Sequence, residues 1–177
     1  MAEANERGLV QIYTGDGKGK TTAALGLAWR AAGWGRRSFI GQFMKGQETG
    51  ERRAASLLAP LITVEQFGQP RLLRMNEVSP QNVEMVQNGL RRVAEILDRG
   101  EYHLVVLDEI CVALHFRLAT VEQVLALIDR RPPQVEMVLT GRRAPQALLD
   151  RADLVTEMVE VKHPYRQGIA ARRGIEF

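Results

Sequence analysis

The sequence predicts an α/β domain, a mostly parallel sheet flanked by helices. Three observations carry that expectation. Strand-like and helix-like runs alternate along nearly the whole chain. Leu104-Val105-Val106-Leu107 is a continuous apolar run of the kind required by a strand covered on both faces. A glycine-rich turn, Gly15 to Gly19, separates the first strand from the first helix.

Leu9 to Tyr13 reads as the first strand and Thr21 to Ala32 as the first helix, with Trp29 expected in the core. Ser38 to Gln42 and Ile62 to Phe67 are the second and third strands. Ser79-Pro80 supplies an N-cap hydroxyl and a first-turn proline, so a long amphipathic helix starts there and ends near Gly100. Leu104 to Leu107 is the next strand, and Thr120 caps a helix through Arg131. Val135 to Leu139, a short helix over Pro145 to Ala152, and a last strand over Leu154 to Met158 complete the series. No repeat, low-complexity segment or linker intervenes. Residues 1–177 therefore read as one domain, with a flexible N-terminus at 1–8. The tail at 160–177 lacks clear periodicity but carries His163, Tyr165 and Phe177, and it is expected to lie near the functional site.

An apolar content of 45% with 25% charged residues is that of a soluble globular protein. The net charge of +3 suits an anionic ligand, but the basic residues are dispersed and aromatic residues sparse, which excludes a nucleic-acid reading. The single cysteine, Cys111, excludes an internal disulfide and a cysteine-based zinc site and fits a reducing compartment. Residues Met1 to Gly8 have no signal-peptide character, and no stretch is long enough to span a bilayer. A cytoplasmic location without membrane contact is expected.

The string Gly15-Asp16-Gly17-Lys18-Gly19-Lys20-Thr21-Thr22 carries the chemistry. A glycine-rich turn opening into a helix aims backbone N–H groups at one point, where the helix dipole is positive. That geometry binds a polyphosphate; Lys20 adds a mobile charge, and Thr21 can ligate Mg²⁺ or Mn²⁺. Thr14 stands where the usual pattern has its first glycine.

Asp108-Glu109 closes the apolar strand, at the edge where a carboxylate holds the phosphate-site cation, and the strand is expected beside the nucleotide strand. Thr21, Asp108 and Glu109 are the candidate metal ligands, with Glu109 either on the metal or activating water. Thr140-Gly141-Arg142 ends the next strand on the same edge, from which Arg142 either reaches a phosphate bidentately or is solvated. Gln42-Phe43-Met44-Lys45-Gly46 follows the second strand, again at the ligand-collecting edge. His103 and His115 lack partners at metal-ligand spacing and read as structural. Lys162-His163 precedes a proline, in a substrate-covering segment or a surface turn.

Together these motifs resemble one family, the P-loop ATP:corrinoid adenosyltransferases. The resemblance runs from about Leu9 to Phe177. It includes Thr14 in the phosphate loop, Arg30-Ala31 with Gly33, Gln42-Phe43 with Lys45-Gly46, and Leu107-Asp108-Glu109. It continues through Thr140-Gly141-Arg142, Ala152 to Met158, Val161-Lys162-His163 and Gly174-Ile175-Glu176-Phe177. It implies a RecA-like P-loop NTPase fold, a homodimer, and transfer of the 5′-deoxyadenosyl group of ATP to Co(I) of cobalamin or a precursor such as cob(I)yrinic acid a,c-diamide. Lys20, Thr21 and Glu109 would serve catalysis. Gly15 to Thr22, Arg30 and Arg142 would bind ATP, and Gln42, Phe43, Lys45, Phe67, Lys162 and His163 would line the corrinoid region. A flavoprotein is the reductant such an enzyme would call on. The family commonly carries a Phe-Thr-Trp-type segment after the third strand; here Gln66 to Arg74 holds Phe67 and no tryptophan. That departure implies a corrinoid lacking the lower cobalt ligand, or displacement of the ligand by Phe67 and Leu72. The rival readings are a generic P-loop phosphotransferase or NTPase and a non-catalytic nucleotide-binding module.

Overall fold

The computed structural model describes residues 7–71 and 73–176. Leu72, Phe177 and most of the expected flexible N-terminus, residues 1–6, lie outside that range. Gly8, the last residue of that segment, is tied: its N–H donates to the Pro133 carbonyl at 2.8 Å.

Six strands form one parallel sheet: β1 (Val10–Thr14), β2 (Ser38–Phe43), β3 (Ile62–Phe67), β4 (Leu104–Asp108), β5 (Glu136–Thr140) and β6 (Leu154–Glu157), in the order β3-β2-β4-β5-β1-β6. The expected boundaries hold to within a residue or two at each strand. One expectation is corrected. The strand bearing Asp108 is not beside the phosphate-loop strand, because β5 lies between them. The consequence is chemical, since the Thr140 hydroxyl at the end of β5 fills the gap.

The sheet's two faces are covered unequally. One carries α3 (Pro80–Arg99), α4 (Ile110–His115), α5 (Val121–Arg130) and α6 (Gln146–Arg151), which bury Phe39, Phe43, Val93, Leu97, Leu107, Leu118, Ile128 and Leu139. The helix α3 is capped as its sequence requires: the Asn82 N–H bonds the Ser79 hydroxyl, and Gly100 takes the left-handed conformation that ends it. Among the described residues the other face carries only α1 (Lys20–Gly33) and α2 (Gly50–Leu57), over a smaller core of Ala24, Ala28, Ile40 and Val106. The short helices α2 and α4 lack the multi-turn apolar periodicity that reveals a helix in a sequence. On this thinner face Trp29 is 67% exposed and Trp34 83% exposed. The expectation that Trp29 is core is therefore wrong: small Ala24 and Ala28 fill the inward stripe of α1, and Trp29 is turned outward. Among the described residues no helix is long and apolar enough to cross a membrane.

Candidate active site

In a parallel sheet all strand C-termini share one edge, so Thr14, Phe43, Phe67, Asp108, Thr140 and Glu157 end there together. The loop after β1 and the N-terminus of α1 open on that edge. The chain just beyond β6 passes close behind the loop: the Gly17 N–H donates to the Met158 carbonyl at 2.7 Å. A methyl group on Gly17 would lie 2.7 Å from the Met158 oxygen. Glycine is required at this position because backbone passes against backbone.

Lys20 is buried and turned into its own loop, donating to the Gly15 carbonyl at 2.7 Å and the Gly17 carbonyl at 2.6 Å. Burial lowers its pKa, with Glu109 pulling the other way. An ammonium so placed can exchange carbonyl oxygens for phosphate oxygens by a small movement.

Behind it lies a polar knot around Asp108, whose side chain is 1% exposed. Asp108 accepts from the Thr21 hydroxyl at 2.8 Å, Thr140 hydroxyl at 2.7 Å, Lys45 ammonium at 2.7 Å and Gln42 amide at 3.3 Å. Gln42 is fully buried; it donates also to Glu51 at 3.0 Å and accepts from Gln66 at 3.0 Å. Burial pushes the Lys45 pKa down, but the charge and hydrogen bond of Asp108, with the charges of Glu109 and Glu51, together outweigh it and raise the group.

Glu109 caps α4 with a left-handed backbone, φ 62°, and its N–H donates to Thr140 at 2.9 Å. A non-glycine residue held there stores strain on the order of 1–3 kcal/mol, which points to a functional constraint. Burial raises the Glu109 carboxyl, and neighbouring Asp108 raises it further. The close approach of β5 to α4 requires Gly141, φ 135°, where a methyl would meet Cys111 at 2.9 Å. Cys111 is buried, and burial lifts its thiol to about 12, so it is inert.

A cleft of about 570 Å³ opens over this machinery. Of the expected residues it brings together Gly17, Lys18, Gly19, Lys20, Thr21, Thr22, Lys45, Glu109, Arg142 and His163. Gly15 and Asp16 form the outer limb of the loop, where Arg142 donates to the Asp16 carbonyl at 3.2 Å. Gln42 and Asp108 lie buried beneath the cleft surface.

Four expected residues are elsewhere. Arg30 is exposed in the last turn of α1, ten residues and therefore about 15 Å of helix from Lys20. Phe43 is fully buried, because its position at the end of β2 faces the core under α3. Phe67 leans on Phe43 at 5.5 Å between ring centres and closes over Gly89, so it does not reach the cleft as a ligand surface. Lys162 is exposed over a separate shallow hollow with Glu160 and Arg166. His103 and His115 are both exposed, and His115 stands 2.7 Å from Arg143.

The far end of the cleft is one that residue patterns did not reveal. Val112 on α4 and Phe116, the residue that caps its C-terminus, lie with Met44, Pro70 and Leu73 as an apolar lining beside the polar Gln47, Gln69 and Arg71. The i, i+4 spacing of Val112 and Phe116 is the signal that could have found it. Ile175 and Glu176 of the tail close the side, with Lys18 donating to the Ile175 carbonyl at 3.3 Å and pairing with Glu176 at 3.7 Å.

Fold and site define a P-loop nucleotide-binding α/β protein. A KaiC-like protein from Pyrococcus horikoshii shares the fold, with a TM-score of 0.56 over 88% of this chain and 74% of that one at 21% identity. The sequence is more specific. The family model described as ATP:corrinoid adenosyltransferase BtuR/CobO/CobP matches residues 6–177. Corrinoid adenosyltransferase CobA of Salmonella typhimurium is 35% identical over 181 residues, covering 100% of this chain and 90% of that one. A corrinoid adenosyltransferase of Pseudomonas aeruginosa is 33% identical, covering 98% of this chain and 85% of its own length. The chain belongs to the ATP:corrinoid adenosyltransferase family.

Proposed function

We propose that this chain transfers the 5′-deoxyadenosyl group of ATP to Co(I) of a corrinoid, with the triphosphate leaving as one unit. The observation that carries the reading is a single cleft joining a buried, lysine-capped phosphate loop to an apolar end. One end suits a polyanion and the other a large, largely apolar ring system.

Co(I) is itself the nucleophile toward ribose C5′, so the protein need not supply a base for that step. Its residues hold the leaving group instead. Lys20 and the N–H groups opening α1 face the charge that grows on the triphosphate as the C5′–O bond breaks. Arg142 stands beside the loop for an outer phosphate oxygen. The apolar lining of Met44, Val112 and Phe116 excludes water from a nucleophile that water would protonate.

The oxygen donors around Thr21 suit Mg²⁺ or Mn²⁺. Among the described residues no three His, Cys, Asp or Glu side chains cluster as a self-sufficient metal cage. That matches an ion held by one or two protein oxygens together with phosphates. Thr21 and Glu109 would hold it from the protein side, with Asp108 beside Thr21 as a third oxygen donor once one of its own hydrogen-bond donors gives way. Bound there, it would neutralise charge on the departing triphosphate.

A homodimer is part of the proposal. The thin face with exposed Trp29 and Trp34, and the uncovered edge strand β6, support it; sedimentation of the chain at micromolar concentration tests it. With Phe67 turned into the core and the Gln69–Arg71 stretch lining the cleft, a corrinoid lacking its lower ligand is the preferred substrate. Equal rates on cobalamin and cobinamide would count against that preference. Adenosyl transfer itself is tested by anaerobic incubation with ATP, Mg²⁺ and chemically reduced corrinoid, following the cobalt–carbon bond optically.

A further inference from the structure

The Asp108 carboxylate is saturated. Its Oδ1 accepts from Thr21 and Thr140 at 2.8 and 2.7 Å, and its Oδ2 from Lys45 and Gln42 at 2.7 and 3.3 Å. Two donors on each oxygen fill the acceptor sites of an ionised carboxylate. A cation that reaches Asp108 must therefore displace a donor.

Three of the four are held by the element that carries them or by other bonds. Thr21 is in the first turn of α1, Thr140 accepts from the Glu109 N–H at 2.9 Å, and Gln42 is held by Glu51 and Gln66, each at 3.0 Å. Lys45 is the only charged donor, and 24% of its side chain is exposed, where it lines the cleft. Its backbone is closely packed: a methyl on Gly46 would come within 2.1 Å of the Gly68 carbonyl oxygen. Only the flexible stem of Lys45 is free to move.

We propose that Lys45 is a positioning residue that occupies Asp108 while the cation is absent and yields that carboxylate when a divalent cation arrives with the triphosphate. Its ammonium then turns to the phosphates. The inference rests on reading the cleft as a triphosphate and metal site. Electrostatics sets the order of events. A divalent ion and an ammonium on one carboxylate repel each other, and the arriving triphosphate offers Lys45 a more highly charged partner. Bare metal is kept out, whereas metal with nucleotide is admitted.

The test is an electron paramagnetic resonance titration of Mn²⁺ into the full chain, with and without inorganic tripolyphosphate. Without it, Lys45→Met should bind Mn²⁺ about tenfold more tightly than the wild type or more, through the freed carboxylate. Lys45→Arg, which keeps the charge, should bind as weakly as the wild type. With tripolyphosphate the advantage of Lys45→Met should vanish. Equal Mn²⁺ affinity of folded Lys45→Met and wild type without tripolyphosphate overturns the proposal, as does an advantage that tripolyphosphate leaves undiminished. If Lys45→Met fails to fold, the ¹⁵N resonance of the Lys45 ammonium in the wild type decides. It moves on addition of Mg²⁺ and tripolyphosphate if the ammonium changes partner, and a static resonance overturns the exchange. No arm reads adenosyl transfer, so failure here is distinguishable from failure of the proposed activity.

Discussion

The two walls of the cleft are built in opposite ways. On the phosphate wall, Thr21, Lys45 and Thr140 converge on one buried carboxylate from 87, 63 and 32 residues away in sequence. The facing tail is exposed, and its ion pairs join near neighbours, Arg166 with Glu160 and Arg172 with Glu176. Among the described residues its polar hold on the loop is through one surface residue, Lys18. Apart from the Lys45 side chain, a knot of long-range buried contacts opens only with the sheet edge that carries it, whereas a strap of local, solvated pairs opens at little cost. Under the proposed function, one wall supplies preorganised charge stabilisation and the other admits a bulky substrate.

The largest effect that would break this contrast is at the loop. Lys20→Ala should lose about 3–4 kcal/mol of transition-state stabilisation, a fall in turnover of roughly 10²–10³-fold. Near-normal turnover would remove the loop from the chemistry. Asp108→Ala removes the centre of the knot and strands a mostly buried ammonium, so it should cost about 3 kcal/mol in urea denaturation. Gly17→Ala forces a methyl against the Met158 carbonyl at 2.7 Å and should cost about 1–3 kcal/mol.

Glu109→Gln sharpens the comparison through pH. Because burial raises the Glu109 carboxyl, the folded chain keeps that proton to higher pH than the unfolded chain does. Stability of the metal-free wild type should therefore decline as pH rises from the unfolded value towards the raised one, and Glu109→Gln should flatten that slope. The smallest effect belongs to the tail. Hydrogen bonds from Arg172 hold the Glu176 carboxyl down at about 2. Its contribution, which is to fastening the tail and not to global stability, is complete above the unfolded value and is lost only as pH falls through about 2. At neutral pH, Glu176→Gln should leave the melting temperature unchanged and speed hydrogen exchange in the tail. A clear drop in melting temperature would show the tail to be part of the rigid wall.

Much of the phosphate wall was legible in the sequence, because the loop, Asp108-Glu109 and Thr140-Gly141-Arg142 each punctuate a strand end where a parallel sheet collects ligands. What residue patterns could not supply was lateral order. With β5 inserted between β1 and β4, Thr140 becomes the bridge to Asp108, and no local signal encodes which strand neighbours which. Phe43 and Phe67 failed for a related reason: strand-end aromatics are equally suited to core and cleft, and α3 settles the matter by packing Gly89 against them. Trp29 failed because the inward stripe of α1 is made of alanines too small to attract notice. The tail and the apolar end formed by Val112 and Phe116 are tertiary products of short segments with little periodicity to read.

Under the proposed function the loop grips a leaving triphosphate and does not transfer one of its phosphates. The most direct measurement is phosphorus NMR of an anaerobic reaction containing ATP, Mg²⁺ and reduced corrinoid. Intact tripolyphosphate appearing in step with the cobalt–carbon absorbance is the predicted result. Orthophosphate or ADP formed without alkylated corrinoid would contradict it.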